Sequence, residues 1–336
     1  MRVGQPQQPS FFVLDTGSDV TWLQCLPCAG KNGCYEQITP IFDPELSSSY
    51  NPVSCDSEQC QLLDEAGCNV NSCIYKVEYG DGSFTIGELA TETLTFVHSN
   101  SIPNISIGCG HDNEGLFVGA DGLIGLGGGA ISISSQLKAS SFSYCLVDID
   151  SPSFSTLDFN TDPPSDSLIS PLVKNDRFPS FRYVKVIGMS VGGKPLPISS
   201  SRFEIDESGL GGIIVDSGTT ITQLPSDVYE VLREAFLGLT TNLPPAPEIS
   251  PFDTCYDLSS QSNVEVPTIA FILPGENSLQ LPAKNCLIQV DSAGTFCLAF
   301  VSATFPLSII GNFQQQGIRV SYDLTNSLVG FSTNKC

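Results

Sequence analysis

One short pattern occurs twice in this chain, about two hundred residues apart, and it narrows the folds open to the sequence. Phe12-Val13-Leu14 runs into Asp15-Thr16-Gly17-Ser18, and Ile213-Ile214-Val215 runs into Asp216-Ser217-Gly218-Thr219. Each is an apolar run, an Asp, a hydroxyl residue, a Gly and a second hydroxyl residue. The apolar run reads as a buried strand and the Gly as a sharp turn. Each Asp is therefore expected at the tip of a buried strand. A second repeat follows each Asp at roughly one hundred residues: Leu123-Ile124-Gly125, then Ile309-Ile310-Gly311. The same order twice over points to a duplicated lobe, with one carboxylate from each half meeting at a shared axis.

The bulk numbers set the frame for that reading. A chain of 336 residues is comfortable for two domains. Hydrophobic residues make up 41% and charged residues only 15%, so sizeable cores form and disorder is disfavoured. Asp and Glu number 36 against 14 Lys and Arg, a net charge of −22 that repels a phosphate backbone and excludes nucleic acid as a partner. The same excess suits a protein working in acid, where carboxylates are neutralised. Of 13 Cys, most lie between Cys25 and Cys109. That density points to disulfides and an oxidising compartment, hence a secreted protein or one of the secretory lumen. Asn104-Ile105-Ser106 is a glycosylation sequon. No apolar run reaches the length of a membrane span. The N-terminus does not read as a signal peptide, so a leader and prosegment are expected outside this sequence.

Most of the chain reads as short strands between Gly, Pro, Ser and Asn clusters, at 72–79, 89–96, 183–191, 296–300 and 317–322. Helical signal is sparse. The best candidate is 226–239, with Ser226 as its cap and Val228, Val231, Leu232, Ala235, Phe236 and Leu239 as its apolar stripe; a shorter helix is expected near 132–137. The expected class is all-β and bilobal: an N-terminal lobe over 1–147, a crossover over 148–180 rich in Ser, Asp and Pro, and a C-terminal lobe over 181–336.

Two carboxylates within hydrogen-bond reach cannot both ionise cheaply, so they share a proton over an acidic range. The ionised partner takes a proton from water, and the protonated one gives a proton to a carbonyl oxygen. Asp15 and Asp216 are the candidates. Gly17 and Gly218 let the backbone turn, Ser18 and Thr219 orient the carboxylates, and Thr16 and Ser217 reach toward the opposite loop.

These motifs resemble the pepsin family of aspartic proteases over essentially the whole chain. Tyr79-Gly80-Asp81-Gly82-Ser83 looks like its flap hairpin, with Tyr79 as the flap tyrosine and Trp22 as its support. The Cys-rich segment between Trp22 and Tyr79 is similar to that of plant nepenthesin-type enzymes, and the chain is most similar to the guard-cell type. The resemblance implies an acid-active endopeptidase with its cleft between two lobes and no cofactor or metal. It implies a monomer that takes an extended peptide or protein substrate and is blocked by pepstatin-type inhibitors. It also implies the disulfides Cys25–Cys28, Cys34–Cys109, Cys55–Cys73, Cys60–Cys68, Cys145–Cys336 and Cys255–Cys297. That leaves Cys286 as a free, buried thiol. Asp81 at the flap tip reads as a turn residue whose charge would disfavour acidic substrate side chains.

Other classes fit less well. Cys25-x-x-Cys28 has half-zinc-site spacing, but neither His98 nor His111 completes a ligand set. Gly125-Leu126-Gly127-Gly128-Gly129-Ala130 fits a dinucleotide fingerprint in form, without the strand–helix alternation that gives it meaning. Two His make a Ser-His-Asp triad hard to build, and a glycosidase pair rarely sits in duplicated Asp loops. The main alternative is a catalytically inactive binding protein on the same fold, such as a plant glycosidase inhibitor. Such proteins lose part of the dyad or flap, whereas this chain has both.

Overall fold

A computed structural model of the protein describes residues 1–29, 33–97, 100–117, 119–149, 151–261, 264–275, 277–333 and 336. His98 lies outside the described residues. The chain divides into two compact units, Met1–Lys138 and Ala139–Cys336. The division falls earlier than the 147/148 boundary expected. The reason is pairing: Ser141–Cys145 hydrogen-bonds along Ile318–Asp323 and so belongs to the second unit. Thr156–Phe159 and Leu168–Val173, inside the expected crossover, are strands of the same sheet.

Both units are built on β-sheet. In the first, a ten-stranded sheet carries Phe12–Asp15 at one end of its main path, beside Gly122–Gly125 and then Trp22–Gln24. Phe12–Asp15 and Gly122–Gly125 run parallel, with Asp15 opposite Gly125. In the second, another ten-stranded sheet holds Ile213–Val215 parallel to Ser308–Ile310, and two four-stranded sheets complete the unit. The repeated sequence elements are therefore neighbours in space in each half. The Gly of each apolar-apolar-Gly segment is explained by closeness: a Cβ on Gly125 would lie 2.3 Å from the carbonyl of Asp19, and one on Gly311 would lie 2.6 Å from that of Ile221. Only Gly lets the segment pass so near the loop that follows each Asp.

The helix over Ser226–Leu239 forms where expected, but its cap differs. Ser226 is already helical, Pro225 precedes it without a side-chain cap, and the Ser226 hydroxyl donates to the Ala303 carbonyl at 3.2 Å. Its buried face is Val228, Tyr229, Leu232 and Phe236, so Tyr229 takes the place expected for Val231 and Leu239. The short helix Ile133–Gln136 is capped by Ser132. No helix among the described residues is long and apolar enough to cross a membrane.

The disulfides correct the pairing implied by the resemblance. Cys145–Cys336 and Cys255–Cys297 are present. In the first unit the bonds are Cys25–Cys109, Cys28–Cys34, Cys55–Cys68 and Cys60–Cys73, not Cys25–Cys28, Cys34–Cys109, Cys55–Cys73 and Cys60–Cys68. Burial sorts the sulfurs. Cys25 and Cys109 are both fully buried, because Trp22–Gln24 pairs parallel with the strand of Cys109. Cys60 and Cys73 share a core cluster with Val53, Leu89 and Ile131. Cys28, Cys34, Cys55 and Cys68 are exposed or half-buried. Each expected pair in this unit would join a buried sulfur to a more exposed one.

Cys286 carries a free thiol at 0% exposure, its sulfur facing the Pro282 carbonyl. Burial pushes this thiol up to about 11, which leaves almost no thiolate near neutrality. The native protein should resist thiol reagents at neutral pH and take up one label per chain on unfolding without reduction. Fast labelling of the native form would contradict the buried placement.

Asp121, 1% exposed, links three segments of the first unit. It accepts from the Phe11 N–H at 3.2 Å and from the Thr39 hydroxyl at 2.5 Å. Desolvation raises its pKa above the ordinary carboxylate value, with the hydrogen bonds from Thr39 and Phe11 opposing. A carboxyl whose pKa is raised on folding stabilises the fold below its unfolded pKa. That contribution is lost as pH rises through the folded pKa. Asp121→Asn keeps an acceptor and cannot ionise. Its melting temperature relative to wild type should therefore be higher at pH 7 than at pH 3; the same difference at both pH values would refute this account.

Candidate active site

In the first unit, Asp15 ends its strand at 4% exposure. Its carboxylate is held on both oxygens: the Gly17 N–H donates to Oδ1 at 2.8 Å and the Ser18 hydroxyl to Oδ2 at 2.5 Å. In the second unit, Asp216 is 7% exposed. The Gly218 N–H donates to its Oδ1 at 2.8 Å and the Thr219 hydroxyl to its Oδ2 at 2.6 Å. The two frames match bond for bond. Gly17 and Gly218 thus act as donors as well as turn residues. Charge-assisted bonds of this kind fix a carboxylate's orientation before any substrate arrives.

The framing continues one layer back. The Gly125 N–H donates to the Thr21 hydroxyl at 3.1 Å, and the Gly311 N–H to the Thr222 hydroxyl at 3.0 Å. Thr16 and Ser217 are buried, at 1% and 3% exposure. The Asn312 side-chain amide donates to the Ser217 carbonyl.

The first unit adds a hairpin with no counterpart in the second half's motifs. Ser72–Glu78 pairs with Phe84–Thr95, and the turn between them closes with Tyr79 N–H to Ser83 carbonyl at 2.8 Å and Gly82 N–H to Tyr79 carbonyl at 3.0 Å. Gly82 takes φ +87°, a conformation that favours glycine. Gly80 has no atom within 4 Å of where a Cβ would stand, so packing does not demand it. Asp81 braces the turn from within, its carboxylate accepting from the Ser83 N–H at 2.9 Å and the Ser83 hydroxyl at 2.8 Å.

Tyr79 points its hydroxyl inward, where it accepts from the indole N–H of Trp22 at 2.7 Å. Burial raises the Tyr79 pKa well above its ordinary value, and the nearby charge of Asp15 adds to this. The phenol is therefore protonated at any working pH and lies close to the first carboxylate. Phe117 packs edge-on against Trp22 with centroids 5.1 Å apart, and against Tyr79 at 6.1 Å. Tyr35 lies 5.1 Å from the same Phe117 ring. Sequence reading missed Phe117 and Tyr35, which no motif marks.

The other expected positions are ordinary in their surroundings. Asn104 is exposed, with φ +60°. The His111 ring lies 3.0 Å from the Pro27 carbonyl. Cys25 and Cys28 belong to different disulfides, so no zinc half-site exists there.

The chain is similar to known proteins along its length. The family described as Xylanase inhibitor N-terminal matches residues 1–159, and Xylanase inhibitor C-terminal matches residues 182–333. The Arabidopsis thaliana protein named Aspartic protease in guard cell 2 is 46% identical over 99% of this chain and 71% of its own length. Aspartic proteinase nepenthesin-1 of Nepenthes gracilis is 42% identical over 100% of this chain and 77% of its own. Among solved structures, basic 7S globulin from soybean superposes with a TM-score of 0.74 at 20% identity, over 99% of this chain and 91% of that one, which is a likeness of fold. With a matching family over both halves and relatives of this identity along the whole chain, the protein belongs to the pepsin-like aspartic proteases, in their plant nepenthesin-type group, and is an enzyme of the aspartic endopeptidase class.

Proposed function

We propose that this chain cleaves peptide bonds in acid through one water held by Asp15 and Asp216. The observation that carries the reading is the identical double frame on each carboxylate, one backbone N–H and one hydroxyl. One carboxylate, ionised, takes a proton from the water as its oxygen attacks the scissile carbonyl carbon. The other, protonated, gives its proton to the carbonyl oxygen. The tetrahedral intermediate then collapses: the C–N bond breaks, the first carboxyl passes the water's proton to the leaving nitrogen, and the second takes back a proton from the diol, which restores the pair. No covalent enzyme intermediate and no cofactor is required. The aspartic proteases are themselves the standard case of such coupled carboxylates.

Thr16 and Ser217 tie each loop to its opposite number in this reading. Tyr79, supported by Trp22, lies over an extended peptide, and Gly80, Asp81 and Gly82 form the flap tip that closes on it. The substrate is a peptide or protein strand, the inhibitors are of pepstatin type, and the enzyme acts as a monomer. The six disulfides support a secreted or secretory-lumen location, in the apoplast or on the way to it. Asn104 is the glycan acceptor. The inactive-inhibitor alternative has the matched family's description in its favour. Two intact carboxylate frames and a supported Tyr79 weigh against it, since a binding protein has no use for oriented acids.

A peptide-library digest between pH 3 and pH 7 tests the assignment. Wild type should cleave in acid and be blocked by pepstatin. Asp15→Asn and Asp216→Asn should each lose activity by at least about 10²–10⁴-fold, the scale of acid–base catalysis. A wild-type protein that cleaves nothing yet binds a glycosidase would favour the alternative. Expression through a plant secretory pathway should add one N-glycan, and Asn104→Gln should remove that mass; an unchanged mass would exclude Asn104 as the acceptor.

A further inference from the structure

Three consecutive glutamines, Gln314-Gln315-Gln316, follow Gly311 in the second half. Nothing at the matching place in the first half resembles them: Leu126-Gly127-Gly128-Gly129 follows Gly125. Gln314 and Gln315 are buried, at 1% and 2% exposure. A buried primary amide must use its two donors and its acceptor or weaken the fold.

Gln315 uses all of them at the second Asp loop. Its Nε2 donates to the Asp216 carbonyl at 3.1 Å and to the Ile310 carbonyl at 2.8 Å. Its Oε1 accepts from the Tyr144 hydroxyl at 2.5 Å. A carbonyl cannot donate, so the amide side that faces these two must be the NH₂, and the amide has one orientation. Tyr144 is itself at 0% exposure, on the strand Ser141–Cys145. The Asp216 N–H donates to the same Ile310 carbonyl at 3.0 Å.

The first half holds the same atom differently. The Asp15 carbonyl accepts from the Leu126 backbone N–H at 2.7 Å. In the second half the equivalent N–H, of Asn312, is shifted along the loop and donates to the Thr219 carbonyl at 2.7 Å. A side chain therefore supplies at Asp216 the donor that the backbone supplies at Asp15.

We infer that Gln315, oriented by Tyr144, is a positioning residue for Asp216: it sets the peptide plane from which that carboxylate projects, and so the coupling of the acid pair. The inference rests on the catalytic reading of Asp216 given above. Gln315 is buried and acts through the Asp216 backbone. Loosening that plane weakens the coupling between the two acids, and their apparent pKa values approach each other. The bell-shaped pH profile then narrows from both limbs.

The test uses the full chain and a fluorogenic peptide chosen from the wild-type digest. Gln315→Leu should lower kcat about tenfold with KM within about twofold, and narrow the pH profile of kcat/KM. Tyr144→Phe should do the same to a smaller degree and add nothing in the Gln315→Leu background. Thr240→Val removes a buried hydroxyl that donates to the Phe236 carbonyl, remote from the loop, and should lower the melting temperature while leaving the profile intact. Should Gln315→Leu fail to fold, Tyr144→Phe carries the same readout. Wild-type kcat and profile in the folded variants, beside an inactive Asp216→Asn, would overturn the positioning role alone. An active Asp216→Asn would overturn both this role and the catalytic reading beneath it.

Discussion

Everything at the candidate site depends on ending a buried strand in a carboxylate and holding that carboxylate with one N–H and one hydroxyl. A cation partner would hold the acid ionised at any working pH. A carboxylate with no partner would be costly to bury. One N–H and one hydroxyl are the intermediate solution: they orient the group and still let it exchange a proton. The frame takes the backbone N–H two residues on and the hydroxyl of a Ser or Thr three residues on. That requirement is why Asp15-Thr16-Gly17-Ser18 and Asp216-Ser217-Gly218-Thr219 are so alike. The close passage of Gly125 and Gly311 behind each loop comes from the same demand, because the loop is braced by a segment with no room for a side chain.

The two halves diverge once that frame is set. The first half adds the Trp22–Tyr79–Phe117 aromatic group, which brings a permanently protonated phenol close to Asp15. The second half adds buried amides: besides Gln315, Gln314 accepts from the N–H and hydroxyl of Thr222 and donates to the carbonyls of Asn285 and Ala299. Each buried polar group left unmatched costs about 1–3 kcal/mol, so a fully matched amide is demanding to build and specific once built. The first half uses its polar and aromatic contacts to place the Ser72–Thr95 hairpin turn beside the first Asp loop. The second uses them to bond the backbone of its Asp loop.

The repeat and the apolar runs were legible because a buried strand and a Gly turn leave local marks. Trp22 and Tyr79 were legible through resemblance. Pairing between distant segments was not. Cys55 and Cys60 lie five residues apart, and spacing is silent on which sulfur faces the core; only the sheet decides, placing Cys60 and Cys73 beside Leu89 and leaving Cys55 and Cys68 outside. Phe117 escaped notice for a similar reason. It sits on a loop whose neighbours, Trp22 and Tyr79, are far away in sequence. Ser226 looked like a cap because Ser usually caps, but here its hydroxyl is taken by Ala303 across the unit. In each case a long-range contact overrode a local preference.

The buried acids extend that lesson to the working environment. Glu92 is at 0% exposure and, among the described residues, in no ion pair; hydroxyls of Ser47 and Ser49 and the Thr93 N–H hold it. Asp121 is held by Phe11 and Thr39 in the same manner. Like the two candidate catalytic acids, both have neutral donors for partners. A hydroxyl partner can turn to accept a hydrogen bond, which a backbone N–H cannot. An Arg partner could not adapt and would be left as an uncompensated charge. With 36 acidic and only 14 basic side chains, the chain has few cations to place beside its acids, and hydroxyls serve instead. Composition, core and site therefore share one solution: buried carboxyl groups held by hydroxyls and backbone N–H groups, in a chain with few cations to set against its acids.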